Sequence, residues 1–307
     1  MNAKLLQAAV AAAVLSGAIA ATTATAAAPI TSVNPLRVSM VAMDGAVEVI
    51  LTNTSRKTLR VPRYQLPIGQ LQAKLFQVSL DGQPVAYEGP MIKRTLPTAA
   101  DFAILRPGQS VRSVVALADA YDMRKSGLYT VTLSSPLQFA SLSGGSMLKT
   151  QRGLPLTLQS APLRMFATGK LPDPRHKGKP GSGGTVVNGV SYVGCSSTQI
   201  STAGSAVVEA RKYSENSKGY LAGNLGQRYL TWFGAYNITR ENTVKSNFSK
   251  IDTAMDQSAG QVKINCGCNQ NYYAYVYPSK PYEIFVCKAF WNAPLTGTDS
   301  KAGTLIH

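Results

Sequence analysis

One aperiodic stretch divides this chain into two parts that cannot share a fold. Between Thr168 and Asn188 the residues are dominated by Gly, Pro and Lys, with no hydrophobic period at all. Such a composition reads as an exposed, flexible linker open to proteolysis. Before it, apolar residues recur with period two; after it, they first recur with a helical period. A length of 307 residues accommodates two cores. The sequence therefore predicts two domains: residues 28–167 and residues 190–307, joined by a cleavable linker over 168–189.

From Leu36 to about Ser135 the alternation is clear in Ala46-Val47-Glu48-Val49-Ile50-Leu51 and in Tyr129-Thr130-Val131-Thr132-Leu133. Asp44-Gly45 and Asp81-Gly82 separate such runs and read as hairpin turns. Short strands with turns about every ten residues predict an antiparallel β-sandwich. This part has no cysteine, and its acids sit mostly in turns, so no catalytic constellation is visible in it. After the linker, Ile200, Ala203, Val207, Val208 and Ala210 share one helix side within Thr198–Tyr213. Two further amphipathic stretches follow over 219–234 and 240–258, the second carrying Val244, Phe248, Ile251 and Met255. Gln261–Asn265, Tyr272–Tyr277 and Tyr282–Val286 then read as short strands, which makes the second domain α+β.

The first residues set the compartment. A short charged start leads into an apolar run from Leu5 to Ile19, followed by the small-x-small pattern Ala18-Ile19-Ala20. Residues 1–27 are thus expected to be a signal peptide, the protein secreted and, once the leader is removed, free of the membrane. All four cysteines, Cys195, Cys266, Cys268 and Cys287, lie after the expected linker. In an oxidising compartment an even number implies two structural disulfides confined to the second domain.

A net charge of +16 raises the question of nucleic acid. Residues 1–180 hold 20 Lys/Arg and 8 Asp/Glu, and residues 181–307 hold 11 and 7. The basic residues are scattered and lack the interleaved aromatics of a stacking surface, so no nucleic-acid partner is expected. The chain has two histidines, one of them His176 inside the linker. The other, His307, closes a helix announced by the N-cap signature Thr298-Asp299-Ser300. That helix has no stop signal, and the natural protein is expected to continue past it.

Here the residues match a known family. Gly297-Thr298-Asp299-Ser300-Lys301-Ala302-Gly303-Thr304-Leu305-Ile306-His307 resembles the opening of the zinc-binding helix of the deuterolysin family, which includes the peptidyl-Lys metalloendopeptidases. Arg228-Tyr229-Leu230-Thr231-Trp232-Phe233-Gly234, Tyr273-Ala274-Tyr275-Val276-Tyr277-Pro278 and Cys287-Lys288-Ala289-Phe290-Trp291-Asn292-Ala293-Pro294 agree with it. The resemblance implies a zincin-like catalytic domain, an N-terminal propeptide, and disulfides Cys195–Cys266 and Cys268–Cys287. It also implies one Zn2+ held by His307 as first ligand, with protein or peptide substrates. Histidines at i and i+4 of such a helix share a metal, and the adjoining Glu acts as general base. That Glu, the second His and the ligand Asp would all follow His307, so no catalytic residue lies in these 307 residues and the chain as written is expected to be inactive. The propeptide is expected to act as an intramolecular inhibitor, with Lys93 of Gly89-Pro90-Met91-Ile92-Lys93-Arg94 as the candidate for a Lys-preferring S1′ pocket. The alternative is a secreted, non-catalytic binding or protease-inhibitor module, whose surface Trp232, Tyr272, Tyr273, Tyr275 and Trp291 would line.

Overall fold

A computed structural model describes residues 34–171, 184–258 and 260–307. The expected signal peptide and most of the expected linker, including His176, lie outside these residues. Twelve strands lie in the described residues up to 171: β1 (Leu36–Met43), β2 (Ala46–Asn53), β3 (Leu59–Pro62), β4 (Phe76–Leu80), β5 (Gln83–Pro84), β6 (Met91–Arg94), β7 (Phe102–Leu105), β8 (Ser110–Ala116), β9 (Gly127–Pro136), β10 (Ser141–Leu142), β11 (Thr157–Gln159) and β12 (Leu163–Ala167). Alternation drives the longest of them. In β2, Val47, Val49, Leu51 and Asn53 are buried while their neighbours are half-exposed, and in β9 Tyr129, Val131, Leu133 and Ser135 do the same. The apolar face-in residues join a single hydrophobic cluster that runs from Leu36 to Ala167.

Eleven of these strands form antiparallel sheets around that cluster: β1-β2-β8, β10-β3-β7, and β4, β5, β11 and β12 gathered about β9. The hairpins close where expected, with Gly45 and Gly82 at φ +71° and +80°, a region open to glycine at no steric cost. The twelfth strand, β6, leaves this assembly.

The remaining residues build a mixed sheet and five helices. The order is β13 (Thr185–Val187), β14 (Val190–Val193), α1 (Ser197–Ala222), α2 (Gln227–Phe233), α3 (Ile238–Met255), β15 (Val262–Asn265), β16 (Tyr272–Val276), β17 (Glu283–Val286), α4 (Lys288–Asn292) and α5 (Lys301–Ile306). Strand β13 occupies the end of the segment read as linker. Ser196 caps α1 through a reciprocal box with Gln199. Helix α1 continues well past Tyr213 and stops at Gly223, and Gly226 opens α2, so the stretch read as one helix over 219–234 is two. Ala203, Val207 and Ala210 pack with Met255 of α3 and with the sheet in a second hydrophobic cluster, while Val208 faces outward at 41% exposure. Val244 and Phe248 instead join Leu221 and Tyr229 in a small third cluster.

The sheet order is β13-β14-β15-β17-β16-β6. Strands β14, β15 and β17 run parallel, β16 runs antiparallel to β17, and β6 closes the edge antiparallel to β16. A strand from the N-terminal part thus completes the sheet of the C-terminal part. The structure joins Cys195 to Cys266 and Cys268 to Cys287, which tie the ends of β14 and β15 and the loops around β16 and β17.

Candidate functional site

The site is built where β6, β16 and the loop before α5 meet. Helix α5 starts from Ser300, whose hydroxyl accepts the Gly303 N–H at 3.0 Å, while the Thr304 hydroxyl donates to the Ser300 carbonyl at 2.7 Å. Ser300 and Thr304 are buried, as Ala302 and Leu305 are, so most of the helix is enclosed by the protein. The loop before it is fixed at several points. Gly297 N–H donates to the Tyr213 hydroxyl at 2.8 Å, Lys301 N–H to the Pro294 carbonyl and Ala302 N–H to the Leu295 carbonyl. The buried Lys301 ammonium donates to the Ala293 carbonyl. Asp299 stands in this loop at φ +52°, a left-handed conformation that Asp tolerates better than most side chains.

His307 follows the last turn, its N–H donating to the Gly303 carbonyl at 3.2 Å. The residue as a whole is exposed, but partial desolvation of its ring holds the imidazole pKa below the ordinary value, and the nearby Lys93 ammonium pushes it the same way. A neutral imidazole is the form that binds a metal.

Lys93 reaches this place from the N-terminal part. Strand β6 pairs Met91 with Val276, Ile92 with Tyr275, Lys93 with Ala274 and Arg94 with Tyr272, leaving Tyr273 as an extra residue in the partner strand. The irregularity is a bulge, which re-aims a side chain. Lys93 Nζ lies 5.5 Å from the centre of the Tyr273 ring and 3.3 Å from Asp299 Oδ1. Arg94 sits between two aromatic faces, its guanidinium 4.2 Å from the Tyr64 ring and 4.8 Å from the Tyr272 ring, and donates to the Gln72 carbonyl and side chain. The Tyr272 hydroxyl bonds the same Gln72 side chain at 3.3 Å. The arm that carries β6 is anchored at both ends. Tyr87 donates to the Pro90 carbonyl and packs edge-on against the buried Tyr121, and Thr98 and Asp101 form a capping box beyond the strand. Gly89 passes so close to the Tyr87 ring that a Cβ there would lie 2.6 Å from it.

Of the aromatics considered as a binding surface, Tyr272 and Tyr273 face Arg94 and Lys93. Tyr275 stacks on Phe285 at 4.7 Å, and Trp291 packs edge-on against Phe290. Trp232 stands apart, 77% exposed on a groove it lines with Tyr220, Leu221, Arg228, Phe233 and Phe248. Sequence reasoning places Asp299 only in a cap and Tyr273 only among the aromatics of a binding surface, and it misses the Arg94 clamp; no local pattern marks a contact between residues some 200 positions apart.

Among the described residues, Glu215, Asp252 and Asp256 are a set of three carboxylates close enough to share a cation. Asp252 is nevertheless committed: its buried carboxylate accepts from Lys218 Nζ at 2.6 Å and from the Ser214 hydroxyl at 3.0 Å. The ammonium offsets the charge of that cluster. His307 belongs to no such set, and it offers one donor where a catalytic zinc takes three from protein. The donor chemistry fits one position of a zinc site.

Residues 221–307 match the family described as lysine-specific metallo-endopeptidase. An extracellular protease of Aeromonas hydrophila is 39% identical over 272 residues, 86% of this chain and 75% of that protein. This chain belongs to that metallo-endopeptidase family. A peptidyl-Lys metalloendopeptidase of Armillaria mellea is 32% identical over 276 residues, 85% of this chain and 74% of that protein. A solved structure, the zinc peptidase from Grifola frondosa, is 37% identical across 36% of this chain and 68% of its own, with a TM-score of 0.34 that carries no fold assignment. The family is one of zinc metallopeptidases, so the activity it brings is hydrolysis of peptide bonds with a metal cofactor. The alignments with the Aeromonas and Armillaria proteins extend over both large hydrophobic clusters, since each covers at least 85% of the chain.

Proposed function

We propose that this chain is a secreted, latent precursor of a zinc endopeptidase with a preference for lysine. In this reading residues 28–167 are the propeptide, 168–189 the cleavable linker, and 190–307 the part of the catalytic domain present in this chain. His307 is the first zinc ligand. The observation that carries it is the edge strand: β6 pairs antiparallel with β16 and brings Lys93 beside α5 and His307. An extended peptide added to a sheet edge is how many proteins hold peptides, with main-chain bonds for affinity and side-chain sites for specificity. A lysine delivered in this way fits relatives named peptidyl-Lys metalloendopeptidase.

When bound, zinc supplies a Lewis acid and a water whose pKa falls toward about 7. The protein side of the chemistry is binding and orientation. Strand β16 aligns the peptide backbone, Asp299 and Tyr273 hold the cationic side chain, and desolvation favours the neutral, metal-binding form of His307. While β6 occupies the edge, a substrate cannot pair there.

Lys93→Ala in the full precursor, measured as peptidase activity before and after linker cleavage, is expected to raise activity before cleavage about threefold, the scale of one partly exposed ion pair. A variant as silent as the parent would remove Lys93 from the inhibitory contact. Residues 1–307 alone, titrated with zinc and assayed on casein, are expected to show no hydrolysis, because His307 provides a single donor.

A further inference from the structure

We infer that Lys301 is a positioning residue: its buried ammonium, bound to the carbonyl at the end of α4, sets the helix that leads to His307 against the edge strand β16. This rests on the proposed reading, in which β16 aligns the substrate and His307 binds the metal.

Lysine is a poor choice at this position on grounds of stability alone. It is the first residue of α5 and only 9% exposed. A cation in the first turn of a helix opposes the positive end of the macrodipole, and a buried ammonium must replace the water it gives up. Its Nζ donates to a neutral group, the Ala293 carbonyl, and among the described residues it forms no ion pair that would offset those costs. An apolar side chain would avoid both.

The backbone around it shows what the bond does. Three consecutive carbonyls, those of Ala293, Pro294 and Leu295, accept from Lys301 Nζ, from the Lys301 N–H at 2.8 Å and from the Ala302 N–H at 3.1 Å. The first turn of α5 is thereby fastened residue by residue to the chain that leaves α4. The other hold on α5 differs in kind. Ala302 and Leu305 pack in the second hydrophobic cluster, and apolar contact has no direction, so it keeps the helix down without fixing its place along its own axis.

Helix α4 is in turn fastened to β16. Cys287, which opens α4, is bonded to Cys268, and its N–H donates to the Tyr273 carbonyl at 2.9 Å. The Lys288 N–H donates to the Gln270 carbonyl at 3.1 Å, and Phe290 is fully buried. Lys301 is therefore the side-chain link in a series of directional contacts that runs from β16 through α4 into α5, and so to His307 six residues on. A slip along this series would leave the peptide edge and His307 each intact but out of register, and small misplacements of that kind are costly to a chemical step.

The test compares the complete, zinc-loaded peptidase released from its precursor with Lys301→Met, which keeps a long stem and removes the donor, and with Lys301→Gln, which keeps a neutral donor. Lys301→Met is expected to lower kcat about tenfold, with KM within about twofold and zinc content unchanged. Lys301→Gln is expected to recover part of the loss and to lie about threefold below the parent. A second readout needs no activity: in residues 1–307, Lys301→Met is expected to speed amide exchange at Ala302 and Thr304 several-fold while leaving β14 and β15 unchanged. A kcat equal to the parent's, a loss confined to KM, a loss that follows zinc content, or unchanged exchange at Ala302 and Thr304 overturns the inference. If Lys301→Met does not fold, Lys301→Gln decides by the same measurements. A parent without peptidase activity overturns the functional reading and the positioning role with it, whereas a Lys301→Met enzyme as fast as an active parent overturns the positioning role alone.

Discussion

At the scale of single residues, the carboxylates are the most committed groups. Asp252 is buried in α3, and its pKa is lowered first by the hydrogen bond from Lys218, with Ser214 and the Lys218 charge adding to it. A carboxylate lowered in the fold contributes stability above its unfolded pKa, and this is lost as pH falls through the folded value. The contact between α1 and α3 is therefore expected to weaken below about pH 4, in the ordinary carboxylate range. Asp252→Asn should remove that acid dependence and cost about 1–2 kcal/mol at neutral pH, read from urea unfolding across roughly pH 3 to 7. Asn53 carries the opposite lesson. Asn53-Thr54-Ser55 matches a glycosylation pattern, as Asn237-Ile238-Thr239 does, yet Asn53 is fully buried and donates to the carbonyls of Lys57, Leu105 and Arg106. Asn237 caps α3 by accepting the Arg240 N–H. The Asn53 amide nitrogen is occupied by the fold, which a three-residue pattern cannot reveal, whereas the exposed Asn237 engages its side-chain oxygen.

At the scale of elements, features encoded within a few residues are legible in the sequence, and features that depend on distant pairing are not. The alternation of β2 and β9, the capping box at Ser196 and the cap at Ser300 are of the first kind. Helix α1 outruns its apolar pattern because a buried serine, Ser214, set against Asp252, interrupts the apolar stripe between Ala210 and Leu221. Helix α4 spans only Lys288–Asn292, too short to show a period. Strand β6 is four residues long with three half-buried side chains, and its sequence says nothing about which sheet it joins. His307 is reachable because its helix has a cap; Asp299 and Tyr273 are not, since their meeting depends on a bulge and on a loop conformation. The cap also has a mechanical role. Ser300→Ala removes the acceptor for Gly303 N–H and is expected to cost about 1 kcal/mol, lowering the melting temperature of the C-terminal part while leaving the N-terminal sheets unchanged.

For the whole molecule, the two large hydrophobic clusters are composed of separate stretches of chain, one ending at Ala167 and the other beginning at Val190. Among the described residues no helix is long and apolar enough to cross a membrane. The two parts are joined by strand pairing at β6 and β16, by the Lys93 and Asp299 ion pair, and by the Arg94 clamp. An ion pair this exposed contributes little alone, so the strand and the clamp carry most of the attachment. Arg94→Ala is accordingly expected to loosen β6 more than Lys93→Ala does, measured as faster amide exchange at Ile92 and Lys93.

The position of β6 in the chain bears on how the protein comes to be made. It leaves the ribosome roughly 180 residues ahead of its partner β16. Should the N-terminal sheets form first, the strand that flanks β16 would already be attached to them, and the outer hydrogen-bonding row of β16 would be covered as it forms. Refolding of the whole chain should then be first-order and indifferent to protein concentration. Residues 190–307 refolded without the rest should slow and precipitate as concentration rises, because β16 would become a bare edge open to other chains.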